Sequence, residues 1–293
     1  MEINIPLSYD EQIDNLINVH RLIIHDRAVA KKILSTVHYY RLSAYGIGLE
    51  NTENSAQYIE GTSLEHLFKL YCFDSRLKND LIKAIERIEI TLRTQIAHQI
   101  ALQYGANALE DINHFNDKQN KNGGSIYYLI WEHLEKEIKR QKNVSLVKRH
   151  SKEFKNDFHV WALVELLSFG NLSSLFSILK DKDQKAIAKL YNTSPEYLKS
   201  WILCLVEVRN ICAHYTRLYN LPLKQTPKLY KENWKYMGKQ NKIFPVLLMV
   251  KRMLNANEQW HSLLRDISRT LDKYSDIYNL SYMGFPQNWK EIL

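Results

Sequence analysis

An all-α helical bundle is the fold class that this sequence predicts. Glycine and proline, which interrupt helices, number only 9 and 6 among 293 residues. No stretch sustains the alternation of apolar and polar residues that is typical of a half-buried β-strand. Apolar residues instead recur every three or four positions in several long segments, as on the buried face of a helix. Hydrophobic residues make up 45% of the chain, which is enough to build a core.

Capping residues predict where the first two helices begin. Ser8 and Glu11 form the pattern of a capping box, in which each side chain satisfies a free backbone N–H of the other residue. Asp26 is a residue type favoured at helix N-caps, and an apolar stripe follows it. Residues 46–61 are polar and punctuated by glycine, so they predict a loop.

One long helical pattern begins near Thr62 and ends near Tyr104. Thr62 and Glu65 match a second capping box. The run contains no glycine or proline and would be about 60 Å long as a single helix. A break within it is expected in a globular protein. Gly105 is suited to end it, because glycine tolerates the left-handed backbone conformation common at helix C-termini.

Further helices are predicted after a break at Gly123 and Gly124. Gly170 is expected to end one of them, and Ser194 with Pro195 gives a strong start to another, as N-cap and first helical residue. The predicted segments are residues 125–142, 161–167, 194–214, 243–255 and 257–274. We interpret residues 1–293 as a single domain with two motif-bearing halves, about 1–124 and 125–293.

Two hexapeptides, residues 93–98 and 209–214, share the pattern Arg, polar, any, apolar, Ala, His. Each lies in a predicted helix. The arginine precedes the histidine by five positions, about 140° around a helix, so one helix does not easily direct both side chains onto one atom. Two such helices facing each other across a groove could present two arginines and two histidines together. The spacing alone is a weak signal, and a histidine held in a purely structural polar contact is the alternative.

These residue types suit cleavage of RNA by its own 2′-hydroxyl. His98 and His214 can accept or donate a proton near neutral pH. Arg93 and Arg209 can hold a phosphate and stabilise the charge that develops in the transition state. Asn210 lies one turn before His214 and could orient it or a phosphate oxygen. No cofactor or metal is expected, because the chain lacks a His-Glu-x-x-His motif, an acidic cluster and a Cys/His ligand set.

The charge of the chain favours an anionic partner such as RNA. The net charge is +8, and residues 139–155 hold seven basic residues against one acid. Residues 224–242 hold six lysines against one acid. Solvated basic faces without a ligand are the alternative for either segment. The candidate RNA contacts are Lys139, Arg140, Lys142, Lys148, Arg149 and Lys152.

The sequence also predicts a cytoplasmic location. Cys72, Cys204 and Cys212 form neither a disulfide framework nor a C-x-x-C pair, which favours a reducing compartment. The first residues lack the basic start and apolar core of a signal peptide. No run of eighteen apolar residues occurs, so no membrane span is expected.

Several stretches, in the same order along the chain, make this sequence resemble the abortive-infection (Abi) family of bacterial phage-defence proteins, of the AbiD/AbiF type. They are residues 7–13, 39–45, 70–77, 88–93, 168–173, 208–214, 217–220 and 283–286, with Trp161, Glu165 and Trp289. The resemblance implies a helical fold related to the HEPN superfamily, whose members carry an Arg-x4-6-His motif and often cut RNA. Arg209, Asn210 and His214 fit that motif, whereas Thr94 replaces the asparagine beside Arg93.

HEPN proteins usually form their site across a dimer, so the resemblance leaves open an internal pair of motifs or a homodimer. The leading hypothesis is a metal-independent endoribonuclease that acts in phage defence as a toxin-like effector. The second is a non-catalytic RNA-binding or RNA-regulated protein that uses the same basic groove. The third is a structural helical partner of another defence protein.

Overall fold

The computed structural model describes residues 6–153, 157–236, 241–254 and 257–293. Within these ranges the chain is helical and forms no β-strand, with isolated β-bridges such as the one between Ile23 and Ser63. The all-α prediction is confirmed. The helices are α1 (Tyr9–Asn18), α2 (Arg27–Thr36), α3 (Tyr39–Ser43), α4 (Leu64–Tyr104), α5 (Ile126–Arg140), α6 (Ser145–Glu153), α7 (Val160–Leu166), α8 (Phe169–Ile178), α9 (Asp181–Lys189), α10 (Pro195–Ala213), α11 (Ile243–Met253), α12 (Asn257–Lys273) and α13 (Trp289–Ile292).

The first two helices begin where their capping residues predict. The Ser8 hydroxyl accepts the backbone N–H of Glu11, and the Glu11 carboxylate accepts the N–H of Ser8, which completes the capping box. Asp26 accepts the backbone N–H groups of Ala28 and Val29 at the start of α2. The apolar faces of both helices pack with the start of α4 into a small core.

Helix α4 runs unbroken for 41 residues, so the expected break is wrong. Its packing against α7, α10 and α12 supplies tertiary stabilisation along its length, which a lone helix would lack. Its N-cap is Ser63, which accepts the N–H of His66, so the capping box predicted at Thr62 is one residue out of register. Gly105 ends the helix as predicted, with a φ of 89°.

Gly170 does not end a helix, contrary to the prediction. The chain leaves helical geometry at Leu167, and Ser168 caps the next helix by accepting the N–H of Asn171. Gly170 therefore lies in the first turn of α8. The backbone N–H groups of this turn have no acceptor within the helix, so a glycine there disturbs the helix less than one in its interior. The sequence did not predict α3, α6, α8, α9 or α13, which are all ten residues or shorter.

A main hydrophobic core joins the two motif-bearing halves of the chain. Its buried residues run from Tyr45 to Leu293 and include the inner face of α4. Helix α10 begins with Ser194 as N-cap and Pro195 as first residue, as predicted, and packs against α4, α8 and α9. Because α4 and α10 carry the two Arg-x4-His motifs, this packing determines how the motifs face each other.

Candidate active site

Arg93 is buried inside the helical bundle. Its guanidinium donates to the backbone carbonyl of Val164 near the end of α7, and to the carboxylate of Glu89 one turn earlier on α4, at 2.5 Å. The Arg93 side chain is only 10% exposed. These two hydrogen bonds join α4 to α7 and direct the guanidinium toward the Val164 carbonyl and the Glu89 carboxylate.

Glu89 also contacts the arginine of the second motif. Arg209 on α10 places its Nε 3.8 Å from the second carboxylate oxygen of Glu89. The Arg209 side chain is 40% exposed, and Glu89 is its one ion-pair partner among the residues that the structure describes. The fold thus brings the two motif arginines together on either side of one carboxylate. Arg209 is the more exposed of the two arginines.

His98 and Thr94 lie on an exposed face of α4. Together with Trp161 and Glu165 of α7 they line a cleft of about 400 Å³, whose other walls include Arg93 and Leu102. We refer to it as the His98 cleft. The His98 ring makes no hydrogen bond or ion pair with any of the described residues, so its nitrogens are open to a ligand.

His214 and Asn210 line a different cleft, of about 580 Å³, between α10 and residues 216–225. We refer to it as the His214 cleft. His214 lies one residue beyond the last helical residue, as the C-cap, and its backbone N–H bonds to the Asn210 carbonyl at 2.9 Å. Both side chains are exposed. Lys224 is exposed at the same cleft, whereas Arg209 is not among the lining residues.

The two histidines lie at different levels of the bundle. Helices α4 and α10 are antiparallel, because Lys78 contacts Thr216 while Glu89, further along α4, contacts Arg209. His98 lies nine residues beyond Glu89, and His214 lies five residues beyond Arg209 in the opposite direction. At 1.5 Å per residue the two histidines are about 20 Å apart along the helices. One chain therefore brings its two arginines together and keeps its two histidines apart.

The segment after His214 is held by a buried charged group that sequence reasoning missed. Asp74 on α4 is fully buried, accepts the backbone N–H groups of Leu218 and Tyr219, and pairs with Lys78 at 2.9 Å. Lys78 also donates to the carbonyl of Thr216 at 3.0 Å. The sequence did contain one signal of this buried pair, which is an aspartate followed four residues later by a lysine on an otherwise apolar helix face.

Two further side chains fix the walls of the His214 cleft. Arg41 donates to the carbonyl of Tyr215, a residue with a φ of 57°, at 2.7 Å. Glu207 accepts the backbone N–H groups of Lys224 and Gln225, at 2.8 and 2.6 Å. These contacts hold both ends of the segment that faces His214, and they explain how a loop can form a defined wall.

Cys212 lies inside the second motif and is buried. Burial is the main reason that the pKa of its thiol is raised to about 12. Because the thiolate is the reactive form, this residue is a packing group and not a nucleophile at neutral pH.

The predicted RNA contacts are exposed on and beside α5 and α6. They are Lys139, Arg140, Lys142, Lys148, Arg149 and Lys152. Arg140 pairs with Glu137 and Arg149 with Glu153, which leaves the four lysines without an ion pair to a described residue. Lys155 and Lys239, which belong to the two basic segments, lie outside the described residues.

Helix α6 adjoins the His98 cleft through a chain of ring contacts. The His150 ring of α6 lies 5.5 Å from that of His159, which lies 4.8 Å from that of Trp161. His150 also stacks on Phe158. The first basic segment is thus connected to the His98 cleft, whereas Lys224 of the second segment lines the His214 cleft.

The family model for Abi-like proteins matches residues 32–220 of this chain, which is more than half of its length. The chain belongs to the Abi-like protein family. Membership indicates a role in abortive infection, a form of phage defence. The matched residues of this Abi-like protein include both motifs, Glu89, Asp74 and the segment after His214.

Comparisons with curated proteins and with solved structures found no match to this Abi-like chain. No helix in the described part of the chain is long and apolar enough to cross a membrane. Within the same residues there is no group of three or more His, Cys, Asp or Glu side chains arranged to hold a metal ion.

Proposed function

We propose that this Abi-like protein is a metal-independent, HEPN-type endoribonuclease that acts in the cytoplasm during phage defence. The observation that carries the proposal is the solvent-open cleft in which His214 and Asn210 stand together at the end of α10. An exposed imidazole can take the proton of a 2′-hydroxyl or donate one to the leaving oxygen. Asn210 can orient a phosphate oxygen beside it, and Lys224 adds positive charge at the cleft.

Arg209 has the role of a phosphate clamp in this proposal. Its guanidinium is half-exposed and is held from one side by Glu89, which limits its conformations. A bidentate contact to phosphate would stabilise the charge that develops during cleavage. Arg93 has its described contacts inside the bundle, so it acts here by holding Glu89 and α7 in place.

A homodimer accounts for the separation of the reactive groups. Acid–base cleavage of one phosphodiester uses a proton acceptor and a proton donor on opposite sides of the phosphorus. His98 and His214 of one chain are about 20 Å apart along the helices, which is too far for one phosphate. We propose that a second copy of the chain supplies the complementary histidine, as in HEPN proteins that form their site across a dimer.

The proposal predicts RNA cleavage that needs no metal and requires a 2′-hydroxyl. Purified protein is incubated in EDTA with a single-stranded RNA and with the same strand carrying 2′-O-methyl groups throughout. The RNA is expected to be cut and the methylated strand to stay intact, because methylation removes the nucleophile. Cleavage of both strands, or cleavage that disappears in EDTA, would contradict the proposed chemistry.

Non-catalytic RNA binding is the second candidate function. The exposed lysines on and beside α5 and α6 favour it, since such a surface can follow a phosphate backbone. The experiment with the RNA and the methylated strand also distinguishes the two candidate functions. Tight, salt-sensitive binding of both strands without any cleavage would support the second candidate and exclude the first.

A further inference from the structure

The His98 cleft has an apolar character that acid–base chemistry does not require. Trp161 is 49% exposed there and Leu102 is 68% exposed, although both are large apolar residues. The volume of about 400 Å³ falls within the range of about 300–1,000 Å³ found for small-molecule sites. An exposed indole beside a cleft of this size is suited to stack on a planar group.

The cleft also has an acceptor placed beside the indole. Glu165 follows Trp161 by four residues on α7, so the two side chains lie on the same face of the helix, and both line the cleft. Glu165 is exposed and makes no hydrogen bond or ion pair with another described residue. A carboxylate in this position can accept a hydrogen bond from an amino group at the edge of a stacked ring.

The charge around the cleft favours a polyanion as the source of that ring. Ring contacts through His159 connect Trp161 to His150, and α6 carries the exposed Lys148 and Lys152 on its outer side. These contacts and the dimensions of a helix place the lysines roughly 15–20 Å from the indole. A strand with its base in the cleft can therefore reach the basic face of α6 within a few nucleotides.

We propose that the His98 cleft binds an unpaired nucleobase that carries an exocyclic amino group. The base stacks on Trp161, its amino group donates to Glu165, and the adjoining phosphates extend toward the lysines of α6. Adenine, cytosine and guanine carry such a group and uracil does not. Since a base within a duplex offers no free face, the site selects single-stranded RNA. The inference rests on the proposed function only in taking RNA as the ligand.

Binding of uncleavable strands tests the site separately from catalysis. The probes are fluorescently labelled 2′-O-methyl oligonucleotides of about twelve adenosines, cytidines or uridines, and a duplex of equal length. We expect the adenosine and cytidine strands to bind more tightly than the uridine strand and the duplex. Equal binding of uridine and adenosine strands would overturn the amino-group preference. Absence of cleavage of ordinary RNA would count against the proposed function alone and would leave this result intact.

Substitutions at the cleft give the second part of the test. Trp161→Ala is expected to weaken binding of the adenosine strand by about 5- to 150-fold, the range for loss of one base–aromatic stack, and Trp161→Phe to restore most of it. Tyr9→Ala, at an aromatic residue that is 45% exposed and lies outside both clefts and both basic segments, is the matched control and should bind normally. Glu165→Leu should remove the preference for adenosine over uridine. Unchanged binding by Trp161→Ala, or an equal loss in the control, would overturn the proposal.

Discussion

Replacing His214 by alanine is expected to slow RNA cleavage by about 100- to 10,000-fold, the usual contribution of one acid–base group. The imidazole is exposed at the His214 cleft, so the substitution removes no core packing. The C-cap hydrogen bond of α10 uses the backbone N–H of residue 214, which alanine retains. Stability should therefore change by no more than about 0.5 kcal/mol, as for other exposed positions.

Initial cleavage rates of wild-type and variant proteins in EDTA measure this effect. Circular dichroism and thermal unfolding establish that the His214→Ala protein is folded. His25→Ala, at an exposed histidine outside both motifs, is the matched control and should cleave at the wild-type rate. His98→Ala reports whether the second histidine acts in the same reaction. Cleavage by His214→Ala at the wild-type rate would remove His214 from the mechanism.

Replacing Asp74 by alanine is expected to lower the free energy of unfolding by about 3–5 kcal/mol, as when one partner of a buried ion pair is removed. Asp74 is fully buried and accepts hydrogen bonds from Tyr45 and from the backbone of Leu218 and Tyr219. Its loss leaves the Lys78 ammonium buried without a counter-charge. The segment after His214 would lose its attachment to α4, so RNA cleavage should fall as well.

Chemical denaturation measures the loss of stability and separates its causes. Asp10→Ala is the control, because the ion pairs of Asp10 with Arg27 and Lys31 are exposed to solvent and should contribute little to stability. The double variant Asp74→Ala/Lys78→Met should be more stable than Asp74→Ala alone, since it removes the uncompensated charge. A loss no greater than that of Asp10→Ala would contradict the assigned role of Asp74.

Local sequence signals predicted the helices that carry strong caps or long apolar stripes. Ser8, Asp26 and Gly105 mark helix ends through their own side chains or backbone freedom, and Pro195 after Ser194 marks a helix start through its fixed φ, so neighbouring residues suffice to identify these ends. The continuity of α4 was not predictable in the same way. It depends on helices distant in sequence that pack along it, and no local pattern encodes that packing.

The candidate site shows the same division between local and distant information. The two Arg-x4-His motifs are visible as sequence patterns, yet the pattern does not say which side chains meet. Glu89 brings Arg93 and Arg209 together only because α4 and α10 pack side by side. The antiparallel course of these helices places the histidines at different levels, which the spacing within each motif could not reveal.

The chemical ends of the cleavage products test the central claim most directly. A defined single-stranded RNA is cut by the purified protein in EDTA, and the fragments are analysed by mass spectrometry. Attack by the 2′-hydroxyl, with His214 in proton transfer, predicts 2′,3′-cyclic phosphate and 5′-hydroxyl ends that are absent with the His214→Ala protein. Fragments with 3′-hydroxyl and 5′-phosphate ends, or identical fragments from His214→Ala, would contradict the account.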